Sequence, residues 1–306
     1  MKKRCSAAMV VLALASVSLG HSAELELREN DVVAFVGGTD MVRMQVDGRL
    51  EAALTHRWNQ AAPKFRDFAW EGDTVYFQSA ERQRWRPQAF GKWSDQLKRV
   101  KATVVIAQFG KMESLDGPAK VEEFGEAYGK LLDQFKGEGR RVVVLAPSPF
   151  EWVEASERAA LSEYSKACRN LAEKRGLQFV ARDGKDPVGA FITGLTGRAV
   201  PRGATFENLR LAVSEKHRLW QEYWRPANWK CIFGDDSKRI FSKASHGLPS
   251  IQEEWATYPK LIAAAEEAIR KGERWVAPSA PKLTGSKEAN VEEELNSFEV
   301  LDGFEV

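Results

Sequence analysis

The chain has 306 residues, with 45 Lys and Arg against 43 Asp and Glu and a formal net charge of +2. Hydrophobic residues at 43% and charged ones at 29% are ordinary for a soluble globular protein, and the length allows one large domain or two smaller ones. No dense Lys/Arg stripe is present, which points away from nucleic acid as a partner.

The N-terminus reads as an address. Lys2, Lys3 and Arg4 precede an apolar run over 7–19, and small residues follow up to Ala23. That order predicts a secretory signal peptide over 1–23, too short for a comfortable membrane span. Cleavage falls after Ala23 or, because His21 is poor at the −3 position, after Gly20. The expected location is the periplasm or the extracellular space, with no membrane association once the leader is removed. Loss of its three basic residues leaves 42 against 43 acidic ones, so the apparent basicity belongs mostly to the leader. Cys5 leaves with it, and Cys168 and Cys231 remain in a disulfide-permissive compartment. Whether they come within the roughly 7 Å between Cα atoms that a bridge needs stays open. There is no CxxC pair and no HExxH motif, so neither a metal site nor a cofactor is expected.

From Asp31 onward the pattern alternates strand and helix. Val32, Val33, Ala34, Phe35 and Val36 form an apolar run ending at Gly37-Gly38, as a buried parallel strand would. A single helix is expected over 41–58, with Met44, Leu50, Ala53 and Leu54 inward. Further strands are expected over 64–70, 103–107, 141–145 and 177–180. Between them lie helices over 121–136, carrying Phe124, Tyr128, Leu131, Leu132 and Phe135 at helical spacing, and over 157–174. Two more helical stretches follow, from Asn208 to Trp224 and over 258–271. Seven of the ten Trp residues cluster around 58–93 and 220–229, where they either pack helices on a sheet or line a groove. Residues 276–290 read as a linker rich in Pro, Ser, Gly and Lys. Such β-α alternation predicts a three-layer α/β/α domain with a parallel five-stranded sheet. Ligands in such sheets sit beyond the carboxyl ends of the strands, at the loops beginning at Gly37, Trp70, Gln108, Pro147 and Asp183.

The first of these loops, Gly37-Gly38-Thr39-Asp40, either presents the Thr39 hydroxyl at a helix N-terminus or turns the chain with Thr39 as a cap. The second strand is followed by Trp70-Glu71-Gly72-Asp73-Thr74, and the third by Gln108-Phe109-Gly110-Lys111-Met112-Glu113-Ser114. Further blocks are Arg86-Pro87-Gln88, Ala146-Pro147-Ser148-Pro149 and Arg225-Pro226-Ala227-Asn228-Trp229. In this order the blocks resemble the SGNH/GDSL hydrolase (esterase) superfamily, and most closely a secreted bacterial branch with Gly-Gly-Thr in place of Gly-Asp-Ser. The resemblance spans residues 25–271 and implies an SGNH or flavodoxin-like fold over the domain 24–275, with hydrolysis of ester bonds as its activity.

The resemblance implies roles position by position. The nucleophile falls on Thr39, which keeps a hydroxyl with a methyl crowding it. The backbone oxyanion donor falls on Gly72. The Asn that adds a side-chain donor falls on Met112, which has none, and losing one such donor typically costs about 10²–10³ in rate. The closing Asp-x-x-His block, whose His takes the nucleophile's proton, falls on Leu195 to Val200, where both residues are missing. Of the remaining imidazoles, His56 lies mid-helix and His217 reads as packing or surface. His246 is the freest to act as base. Gly38, Asp40, Asp73, Gly110, Met112 and Glu113 are expected to line the cleft. The three carboxylates there either gather around water or a cation, or cap helices and pair with Arg43 and Arg86. The expected ligand is a carbohydrate or an acyl ester on one, either hydrolysed or only bound. Residues 291–306 resemble the opening of sorbosone-dehydrogenase-like propeller domains, often followed by cytochrome c modules. That likeness implies a dehydrogenase or cytochrome c partner domain, against the alternative of a plain acidic tail.

Overall fold

The computed structural model describes residues 25–76, 92–150, 155–182, 184–224, 226, 231–232, 234–238, 250–273 and 275. The expected leader (1–23), linker (276–290) and tail (291–306) lie outside these residues, as do Arg86 and His246.

Five strands form: β1 (Val32–Gly37), β2 (Lys64–Asp67), β3 (Val104–Gln108), β4 (Arg141–Leu145) and β5 (Gln178–Val180). Every pairing is parallel, and the order across the sheet is β2-β1-β3-β4-β5. The expected three-layer α/β/α fold is therefore present, with the flavodoxin-like order. The second strand was expected to reach residue 70, and its ladder does continue past its formal end. Phe68 and Trp70 donate their N–H groups to the carbonyls of Phe35 and Gly37.

Among the described residues the helices with both ends defined are, in chain order, α1 (Thr39–Asp47), α2 (Arg49–Arg57), α3 (Trp93–Arg99), α4 (Val121–Lys136), α5 (Ala155–Lys174), α6 (Pro187–Thr196), α7 (Ala204–Trp224), α8 (Ile251–Trp255) and α9 (Tyr258–Lys271). Strand side chains alternate between faces, so each apolar strand feeds two cores. Val33, Phe35, Val104, Ile106, Val143 and Leu145 pack under α1, α2, α6 and α7. Ala34, Val36, Val105, Ala107, Val142 and Val144 pack under α3, α4 and α5. On α4 the five predicted apolar side chains are all buried, each contributing on the order of 1.5–3 kcal/mol. Tyr258 and Ile262 of α9 join Leu219 of α7 in a satellite cluster.

One expectation is corrected here. The single helix over 41–58 is two helices, because Gly48 adopts φ 78° and closes α1 with its N–H on the Met44 carbonyl. A Cβ at Gly48 would stand 2.8 Å from the Arg210 carbonyl oxygen, so the break lets α7 approach. Leu195 and Thr196, at the start of the segment on which the closing catalytic block falls, end α6, which Gly197 stops at φ 66°.

Cys168 and Cys231 are buried thiols and are not bridged. The tryptophans divide between both expected roles. Trp58 and Trp93 are core residues, whereas Trp220, Trp224 and Trp255 line a groove of about 380 Å³. No helix among the described residues is long and apolar enough to cross a membrane.

Candidate functional site

Between β1 and β3 the chain reverses its direction of sheet growth, and a crevice must open at their carboxyl ends. A cleft of about 120 Å³ lies there, lined by Gly38, Thr39, Asp40, Arg43, Asp73, the run from Gln108 to Glu113, Pro147 and Phe150. Of the predicted site residues, Gly38, Thr39, Asp40, Asp73, Gly110, Met112 and Glu113 are thus brought together. Gly72 adjoins them, donating its N–H to Thr39 Oγ at 2.9 Å.

Close approach of backbones builds this corner. A Cβ at Gly37 would meet the Gln108 carbonyl oxygen at 2.5 Å, and one at Gly38 the Asp73 carbonyl oxygen at 2.7 Å. Only glycine lets the three loops converge without displacing main chain. Gly38 is the N-cap of α1 and the helix has no side-chain cap. The reading of Thr39 as a capping residue is therefore set aside, and its hydroxyl accepts from the Gly72 N–H.

Glu113 latches the loops. Its side chain is buried, with Oε1 accepting from Val75 N–H at 2.9 Å and Oε2 from Gly110 N–H at 2.8 Å. Burial pushes its pKa up, the two backbone donors pull the other way, and Asp73 adds to the rise. This carboxylate is consumed in holding the loops after β2 and β3.

Asp40 pairs with Lys111 Nζ at 2.8 Å, not with Arg43, because Lys111 reaches back from the β3 loop across Phe150, its ammonium 4.9 Å from the ring centre. Asp40 Oδ2 remains buried without a hydrogen-bond partner. So does Gln108 Oε1, since the amide nitrogen of Gln108 donates to the Ala146 carbonyl at 3.0 Å and to Ser148 Oγ at 3.2 Å. Two residues lining the cleft thus carry buried acceptors without a partner, beside the apolar flanks of Phe109, Met112, Pro147 and Phe150. Buried acceptors of this kind are normally satisfied. The sequence marked the loop from Gln108 as part of the site, but not the contacts of Lys111 and Gln108, which depend on the loop packing.

Among the described residues, no imidazole or carboxylate bonds Thr39 Oγ. His56 stacks edge-on against Phe206. His217, read beforehand as packing or surface, is buried with Nε2 2.7 Å from Glu51 Oε2. His246 lies outside the described residues. Met112 is exposed at the lip, with no polar hydrogen to give. No group of three or more His, Cys, Asp or Glu side chains among the described residues could hold a metal ion.

No family model and no curated protein matches this sequence. Among solved structures, the chain is similar to a putative GDSL-like lipase from Parabacteroides merdae, at 13% identity and a TM-score of 0.40, covering 82% of this chain and all of that one. It is similar to an acetylxylan esterase from Geobacillus stearothermophilus at 13% identity and a TM-score of 0.39, covering 51% of this chain and 78% of the other. A gut microbial diltiazem-metabolizing enzyme aligns at 17% identity and a TM-score of 0.36; the match takes in 51% of this chain and 37% of that enzyme.

Proposed function

We propose that this is an exported SGNH-hydrolase-like protein whose strand-end cleft binds an acylated carbohydrate without efficient turnover. The observation that carries the reading is the pair of buried, unpartnered acceptors, Asp40 Oδ2 and Gln108 Oε1, in the cleft beside Thr39. Such acceptors match the hydroxyl donors of a sugar, and the Met112 and Phe150 flank suits a short acyl group. Weak turnover follows from chemistry. A hydroxyl with no base beside it stays protonated near neutral pH and attacks poorly, and the position expected to hold a second oxyanion donor is Met112.

A specific observation favours a second reading, ester hydrolysis. Thr39 Oγ and the Gly72 N–H stand 2.9 Å apart, so the nucleophile position and one oxyanion donor are neighbours, and His246 would have to supply the base. The two readings separate on activated aryl acetates. Binding without turnover predicts a rate at the buffer baseline that Thr39→Ala does not change. Turnover that Thr39→Ala abolishes would establish the hydrolase reading, with His246→Ala as the next variant.

The resemblance of residues 291–306 to a propeller opening supports a place beside an envelope dehydrogenase or cytochrome c module. Co-purification from native envelopes tests this, and recovery of the chain with no such partner would leave the segment as a tail.

A further inference from the structure

A second cavity, of about 200 Å³, lies away from the strand-end cleft, between α2, α7, the start of β2, and α9. Two titratable side chains that the proposed cleft does not use, Glu51 and Lys216, line it, and a third, His217, lies against Glu51. Glu51 of α2 sends Oε1 to Lys216 Nζ, and Oε2 lies 2.7 Å from His217 Nε2. The side chains of all three are no more than 3% exposed. Two cation-capable groups thus face one carboxylate, and the lysine ammonium has three donors of which Glu51 uses one.

Thr55 supplies an independent observation. It sits four residues after Glu51, on the same face of α2, is 7% exposed and lines the cavity. Helical threonines commonly bond the carbonyl four residues back, as Thr193 and Thr196 do here. The Thr55 hydroxyl has no partner. Phe65, Ala263 and Ile269 give the wall an apolar strip, and Lys64, Glu266, Glu267 and Arg270 ring it with two charges of each sign. The cavity is smaller than the roughly 300–1,000 Å³ typical of drug-sized ligands.

We propose that this cavity binds a short-chain carboxylate, with its head on Lys216 Nζ and Thr55 Oγ and its alkyl chain against Phe65 and Ile269. One carboxylate, Glu51, faces two cation-capable groups, so at most one further negative charge is balanced there. A doubly charged anion would leave uncompensated charge in a buried place. The inference is independent of the strand-end cleft and of what that cleft binds.

The test uses the full chain, titrated calorimetrically with sodium butyrate against sodium chloride at matched ionic strength. Butyrate should bind saturably, acetate more weakly because it leaves the apolar wall uncovered, and inorganic phosphate not at all. Lys216→Met should abolish binding. Because that change strands the buried Glu51 charge and can impair folding, Thr55→Val is the decisive variant. It keeps shape and helix, and should weaken butyrate binding about tenfold, the equivalent of one hydrogen bond. No saturable response, phosphate binding as tightly as butyrate, or wild-type affinity in a folded Thr55→Val protein would each overturn the assignment.

Discussion

Glu113 offers the sharpest test of how the cleft is built. Replacing it with Ala removes the acceptor for two buried N–H groups, those of Val75 and Gly110. Each buried donor left unpaired costs about 1–3 kcal/mol. Part of that is offset, because burial already disfavours the Glu113 carboxylate and its pKa is pushed up. The expected net loss is about 3 kcal/mol for Glu113→Ala. Glu113→Gln keeps one acceptor oxygen and sheds the buried charge, so it should lose only about 1 kcal/mol. Urea unfolding followed by tryptophan fluorescence reads both values, and an unchanged slope would show that stability rather than compactness has changed. Ligand binding at the strand-end cleft should fall with the Ala variant, since the Gly110 loop loses its anchor. If Glu113→Ala lies within about 0.5 kcal/mol of wild type, or Gln is as damaging as Ala, the carboxylate is not the latch described here.

Other consequences follow from the same contacts. Gly48→Ala should destabilise by more than about 1 kcal/mol in the same unfolding assay, because φ 78° is strained for Ala and its Cβ would press on the Arg210 carbonyl. The Cys168 thiol is fully buried and its pKa is pushed up by burial, so it should react with a thiol reagent only after unfolding. Burial raises the Glu51 pKa, but Lys216 and His217 outweigh that and hold it at about 2. The stability it contributes is therefore complete above its ordinary carboxylate range and lost as pH falls toward about 2, on the order of 3 kcal/mol. Glu113 works in the opposite sense, so the measurement is the difference in unfolding free energy between wild type and Glu51→Gln across pH, and a flat difference would refute the assignment.

Much of the sheet was legible because buried parallel strands are written as continuous apolar runs, and all five appear near their expected places. The site loops were legible for the same reason, since parallel strands deliver their following loops to one edge. What escaped depends on contacts between distant parts of the chain. The break at Gly48 is invisible in a helical pattern that runs straight through it, because its cause is the approach of Arg210 and Ser214 from α7. Helix α6 was hidden by Gly189 and Gly194, weak helix formers, of which Gly194 lets the helix press on the sheet. A Cβ at Gly194 would stand 2.4 Å from a Val180 methyl. The pairing of Asp40 with Lys111 joins residues 71 apart, and that of Glu51 with Lys216 joins residues 165 apart. Neither leaves a local signature.

The central claim, a cleft that holds an acylated sugar without efficiently cleaving it, is tested most directly by following one ligand two ways. An O-acetylated oligosaccharide is titrated into the protein while the Gly72 and Gly110 amide resonances are recorded, and the same samples are assayed for released acetate. The account predicts saturable shifts at both amides, lost when Asp40 and Gln108 are replaced by Ala, with acetate release at the buffer rate. Rapid acetate release that disappears in Thr39→Ala, or amides that do not respond to the ligand, would contradict it.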